Sequence, residues 1–225
     1  MKSKEEYKSI IQDISRNLGN ARLMAVSKTR SVEEIDAVYN CGVRLFGENH
    51  VQEIVEKFSS YRPDGLELHM IGHLQTNKVS KVVPLVDMIE SVDSMKLLQK
   101  IDAEAAKNSK TMDVLLEFNT SGEASKSGFD SREDLFECIE KAFELQNIRL
   151  RGLMTVGPLE HPENTQVAFR FLKNLFDECH IRYGERLQEF DILSMGMSGD
   201  WKTAVHEGSN LVRIGTTIFG ERHYD

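Results

Sequence analysis

Lys28 ends an apolar run, Leu23-Met24-Ala25-Val26-Ser27-Lys28, that reads as a short buried strand. An ammonium group loses hydration on leaving water. Burial therefore favours the neutral amine, a nucleophile able to form an imine with an aldehyde. A strand-end lysine can equally snorkel to solvent, and Lys28 taken alone allows both readings. Far along the chain, Ser198-Gly199-Asp200 leads into a helical pattern, and Gly215-Thr216 follows the last apolar run. Helix N-termini offer unpaired N–H groups to an anion, so the two segments read together as a phosphate cradle. The plainer alternative makes Ser198 an N-cap and Gly215 a turn residue.

Arg213 lies between Val212 and Ile214, and strand alternation points it inward. It serves either a buried salt bridge to Glu117 or another strand acid, or a ligand. Arginine stays protonated, so against a pyridine ring it would keep the ring nitrogen unprotonated and restrain carbanion chemistry. Asn49 could bond a ligand's phenolic oxygen or cap the helix starting near Val51. His73 could be a general acid or base, or a loop histidine bonded to backbone. Lys126 reads as a loop cation and Trp201 as a packing residue. A lysine amine and a phosphate cradle suit an aldehyde that carries a phosphate, and pyridoxal 5′-phosphate is such a molecule.

These residues must be carried by strands. Apolar runs at 22–27, 43–46, 67–71, 88–91, 112–119, 149–154, 190–194 and 211–214 alternate with helical patterns at 31–40, 51–59, 78–83, 94–106, 131–145, 163–183 and 200–206. Several runs are almost continuously apolar, as strands buried on both faces are. Ser31 with Glu34 forms a capping box, and a further amphipathic helix at 5–18 precedes the first strand. Eight such units predict an α/β fold, a single (β/α)8 TIM barrel over residues 1–225 with an extra N-terminal helix. The competitor is a doubly wound open sheet, but no G-x-G-x-x-G turn follows an early strand. In a barrel, functional groups sit at the C-terminal strand ends. Lys28, Asn49, His73, Ser198, Gly215 and Thr216 all fall there.

The net charge of −8 over 225 residues argues against broad nucleic-acid binding. The N-terminal residues lack the apolar core of a signal peptide, and no stretch approaches a membrane span. A cytoplasmic location is expected. Cys41, Cys138 and Cys179 have no metal-like spacing, so reduced thiols and no metal are expected.

The segments Ala25-Val26-Ser27-Lys28-Thr29, Phe46-Gly47-Glu48-Asn49, His69-Met70-Ile71-Gly72-His73-Leu74-Gln75-Thr76-Asn77-Lys78, Ser125-Lys126-Ser127-Gly128, Arg151-Gly152-Leu153-Met154, Leu193-Ser194-Met195-Gly196-Met197-Ser198 and Val212-Arg213-Ile214-Gly215-Thr216 stand in one order along nearly the whole chain. With them the chain resembles the pyridoxal phosphate homeostasis proteins, which share the barrel of the alanine racemase N-terminal domain. The resemblance implies that Lys28 holds the cofactor as an internal aldimine and that Arg213 faces the ring nitrogen. It also implies that Ser198, Gly215 and Thr216 bind the phosphate and that Asn49 lines the pocket near the ring. It implies a non-catalytic protein that buffers pyridoxal 5′-phosphate and passes it to pyridoxal-phosphate-dependent apoenzymes. Alanine racemases add a β-domain and a tyrosine from a partner subunit. Only about eleven residues follow the last strand here, so no such domain is expected, and a monomer is. A low-activity amino-acid racemase, and a Schiff-base aldolase or phosphosugar-binding barrel, are the alternatives.

Overall fold

The computed structural model describes residues 2–123 and 125–221. Residues 222–225, part of the tail behind the expectation that no second domain follows, lie outside the described residues. Helix α1 (Lys4–Ser15) leads into β1 (Arg22–Val26). There follow α2 (Val32–Tyr39), β2 (Leu45–Glu48), α3 (Val51–Phe58), β3 (Glu67–Met70), α4 (Val79–Val82), β4 (Met88–Val92), α5 (Met95–Lys107) and β5 (Met112–Glu117). The chain continues through α6 (Arg132–Ala142), β6 (Ile148–Met154), α7 (Thr165–Tyr183), β7 (Ile192–Met197), α8 (Trp201–His206), β8 (Leu211–Ile214) and α9 (Thr216–Phe219). The strands pair in parallel in sequence order, and β8 closes on β1 with Met24 beside Arg213. This is the expected (β/α)8 barrel with its extra N-terminal helix.

The helices start where their caps dictate. Ser31 Oγ accepts the Glu34 N–H while Glu34 returns a carboxylate to the Ser31 N–H, and Ser3 with Glu6 repeats the device on α1. Each cap contributes about 1 kcal/mol. Helix α9 has no counterpart among the expected elements. It spans four residues, too few for a periodic signal.

Two cores follow from strand alternation. Outward side chains of the strands join the helices in one large cluster that includes Phe46, Leu68, Leu116, Leu193 and Val212. Inward side chains form a second cluster, Met24, Leu45, Met88, Leu115, Met154, Ile192 and Leu211, which fills the barrel. Inward positions also carry His69, Glu90, Ser194 and Arg213, all buried. The barrel interior thus holds polar as well as apolar side chains, with Met24 beside Arg213, Met88 beside His69 and Met154 beside Ser194.

Candidate functional site

Six of the residues singled out in the sequence line one cavity of about 260 Å³ at the C-terminal end of the barrel: Lys28, Asn49, Ser198, Arg213, Gly215 and Thr216. Val26, Ile71, Val156 and Met197 supply its apolar wall, and Arg30 also lines it.

Lys28 follows β1 in a turn and is half-buried. The backbone around it is held from behind. Lys57 Nζ donates to the Ser27 carbonyl at 3.0 Å and to Glu48 Oε1 at 2.9 Å, and Ser27 Oγ donates to the same oxygen at 2.8 Å. Glu53 accepts the Thr29 N–H at 2.6 Å. That bond stabilises Thr29 at φ 64°, a conformation a β-branched residue adopts only under constraint. Burial pushes the Glu48 carboxyl above its usual range, against the pull of Lys57.

Asn49 follows β2. It does not cap α3, whose N-cap is His50. Its backbone is crossed by Gly72, where a Cβ would stand 2.2 Å from the Asn49 carbonyl oxygen, so glycine at 72 is required for the loop to close. Among the described residues Asn49 Oδ1 is buried without a hydrogen-bond partner.

Ser198 is not an N-cap either. Asp200 occupies that position on α8, and its carboxylate accepts the Met197 N–H at 2.5 Å. The Ser198 hydroxyl instead accepts the amides of Gly215 at 3.2 Å and Thr217 at 3.4 Å. The turn that carries it depends on Gly196 (φ 96°), where a Cβ would meet the Ala204 Cβ at 2.5 Å. Two loops therefore bring the Ser198 hydroxyl and the Gly215 and Thr217 amides to one spot, an arrangement suited to an anion.

Arg213 is buried at the cavity floor. Its Nη1 donates to Ser194 Oγ at 2.6 Å and its Nη2 to the Thr155 carbonyl at 2.7 Å. The alternative reading, a salt bridge to Glu117 or another strand acid, takes the form of an indirect link to Glu90, since Ser194 Oγ donates to Glu90 Oε2 at 2.6 Å. Burial lowers the Arg213 pKa, and Glu90, Glu117 and Asp200 oppose that shift.

His73 lies outside the cavity lining. It is exposed and meets Asp93 Oδ2 at 3.0 Å and Ser127 Oγ at 3.3 Å, partners on side chains rather than the backbone. Lys126 is less exposed than a plain loop cation and stands 3.9 Å from Glu123. Trp201 packs, as expected. Sequence reasoning missed His69, Glu90 and Ser194. Their signal was the same as for Arg213: a charged or polar residue at an inward position of an apolar strand.

The family model of the alanine racemase N-terminal domain matches residues 4–223. A protein of Aquifex aeolicus (strain VF5), named pyridoxal phosphate homeostasis protein, is 42% identical over 221 residues, covering 98% of this chain and 95% of its own. The structure of PipY from Synechococcus elongatus PCC7942 with PLP bound is 34% identical, with a TM-score of 0.85 over 95% of this chain and 100% of its own. The alanine racemase of Streptomyces coelicolor A3(2), 16% identical, shares the fold with a TM-score of 0.75 over 97% of this chain and 59% of its own.

Proposed function

We propose that this chain, which belongs to the family of the alanine racemase N-terminal domain, is a pyridoxal 5′-phosphate-binding protein of intracellular cofactor homeostasis. It holds the cofactor reversibly, buffers its free level and passes it to pyridoxal-phosphate-dependent apoenzymes, without catalysing a reaction of its own. The observation that carries this reading is the convergence of an amine, an anion cradle and a buried arginine on one cavity.

The residues fit the group. The orphaned Asn49 Oδ1 leaves an acceptor without a donor in the cavity wall, suited to a ring hydroxyl. The loose bonds of 3.2 and 3.4 Å to Ser198 Oγ leave the Gly215 and Thr217 amides available to a phosphate oxygen. When bound, pyridoxal 5′-phosphate supplies an aldehyde that condenses with a primary amine. In this reading Lys28 provides that amine, and the Ser27 and Thr29 backbone bonds orient it. Ser198, Gly215 and Thr216 grip the phosphate. Arg213 remains protonated and donates toward the ring nitrogen, which restrains carbanion chemistry. Val26, Ile71 and Val156 exclude water from one side. The chain works as one domain, residues 1–225, and as a monomer in the cytoplasm. Among the described residues no helix is long and apolar enough to cross a membrane.

The racemase alternative needs an acid–base group opposite Lys28, and His73 does not line the cavity. The test uses loaded protein freed of unbound cofactor. Mixed with a pyridoxal-phosphate-dependent apoenzyme, it should restore that enzyme's activity. Incubated with single L-amino acids, it should neither racemise nor transaminate them. Turnover at ordinary enzyme rates, dependent on Lys28, would overturn the non-catalytic reading.

A further inference from the structure

Arg213 is the cavity end of a buried chain of charges that crosses the barrel interior. Its Nη1 donates to Ser194 Oγ, and that hydroxyl, having accepted there, donates its own proton to Glu90 Oε2 at 2.6 Å. Glu90 must therefore act as an acceptor. Its other oxygen, Oε1, meets His69 Nδ1 at 2.7 Å, and His69 Nε2 meets Glu67 Oε1 at 2.8 Å. Glu67 pairs in turn with Arg22 near the opposite mouth of the barrel. His69, Glu90 and Ser194 have no exposed surface.

A neutral imidazole has one N–H and one lone pair. Here both ring nitrogens face carboxylate oxygens, and a lone pair aimed at a carboxylate repels it. With both carboxylates ionised, two donors satisfy both contacts, and a ring with two donors is an imidazolium. The charges along the chain then alternate, from Arg213 through Glu90, His69 and Glu67 to Arg22. Each buried charge has a compensating neighbour, which is the condition under which such groups tolerate burial. Hydrogen bonds to Glu67 and Glu90 raise the His69 pKa despite its burial, and Glu90 is lowered although desolvation opposes it. The other charged groups facing this chain are Glu117 at the end of β5 and Asp200 at the head of α8, both toward Arg213.

We propose that Glu90 and His69 are positioning residues that, through Ser194, fix the direction and charge of the Arg213 guanidinium at the cavity floor. The claim deepens the cofactor reading of the same cavity and rests on it for one of its two readouts. With the Ser194 hydroxyl and the Thr155 carbonyl each holding one terminal nitrogen, the guanidinium cannot turn without breaking a buried bond. Its field on a bound ring is then the difference between one cation and the Glu90 carboxylate behind it. Neutralising Glu90 leaves the cation uncompensated. That disfavours the protonated form of any group titrating on a ring in front of it.

The first readout needs no ligand. In 15N NMR of the wild-type protein, with His69 assigned by its loss in His69→Gln, both ring nitrogens should be protonated from about pH 7 to about pH 8, where a solvated histidine is mostly neutral. A singly protonated ring in that interval overturns the proposal. The second readout is the pH midpoint of the visible absorption band after loading with pyridoxal 5′-phosphate. Glu90→Gln should lower that midpoint by about half a pH unit or more, and Glu90→Asp should recover most of the shift. An unchanged midpoint in Glu90→Gln, with borohydride still fixing the cofactor on Lys28, overturns the proposal. Should Glu90→Gln fail to fold, Ser194→Ala cuts the link while keeping both charges, and a midpoint identical to wild type is then the contradicting result. Failure of the wild-type protein to fix any cofactor on Lys28 defeats the cofactor reading instead, and the NMR readout still decides the charge state of His69.

Discussion

The cavity and the barrel interior beneath it are built from the same residue types but in opposite ways. Around the cavity two groups are under-committed. Among the described residues Asn49 Oδ1 lacks a partner, and the Gly215 and Thr217 amides share the single Ser198 hydroxyl at 3.2 and 3.4 Å. A few ångströms into the barrel every bond is short. The links from Arg213 through Ser194 and Glu90 to His69 and Glu67 run between 2.6 and 2.8 Å. Loose, partly solvated groups can exchange their partners for those of a ligand at little loss. Fully paired buried ones cannot, because losing one partner leaves a desolvated charge. The upper region is suited to accept and release, and the lower one to hold its shape while that happens. Arg213 belongs to both.

Substitutions break the two regions differently. The largest effect belongs to Lys28→Ala. It removes the amine, so cofactor affinity should fall by about a hundredfold or more with loss of the visible band, while urea unfolding of the unliganded protein stays near wild type. His69→Leu should do the reverse at first order. It strips Glu90 and Glu67 of the cation between them, and unfolding stability should drop by about 3 kcal/mol, read as a lower urea midpoint.

Glu117 sharpens the boundary. Burial pushes its carboxyl up to about 7, against the pull of Arg213. Between about pH 4.5 and about pH 7 the folded chain keeps this proton and the unfolded chain loses it. This contribution is therefore complete at the acid end and vanishes as pH rises through the upper value, by about 3 kcal/mol in all. Glu117→Gln should flatten that slope and stabilise the protein at about pH 8 relative to wild type. Equal pH profiles of urea unfolding for the two proteins would contradict it. The smallest effect is that of Ser198→Ala. With amides remaining to bind the anion, affinity should fall about tenfold, visible by titration with pyridoxal 5′-phosphate, with stability almost unchanged.

How much of this was legible in the sequence follows the same division. The eight strands announced themselves because parallel barrel strands are buried on both faces and read as apolar runs. Their ends drifted: β2 was expected at 43–46 and runs Leu45–Glu48, since a run of apolar residues does not mark where pairing stops. Lys28 and Arg213 stood out as cations in apolar surroundings. His69 and Glu90 obey the same rule, but nothing in their spacing ties them to a ligand. The capping question at Asn49 and Ser198 could not be resolved from residue types, because Asn and Ser serve helix ends and ligands alike. The fold separates the two uses by giving the N-cap positions to His50 and Asp200.

The central claim is a bond between the Lys28 nitrogen and the aldehyde carbon of pyridoxal 5′-phosphate. Reduction of the loaded wild-type protein with borohydride, followed by peptide mapping by mass spectrometry, reads that bond directly. The account predicts one phosphopyridoxyl increment, on the peptide containing Lys28, absent from Lys28→Ala. An increment confined to another lysine, or none at all, would contradict it.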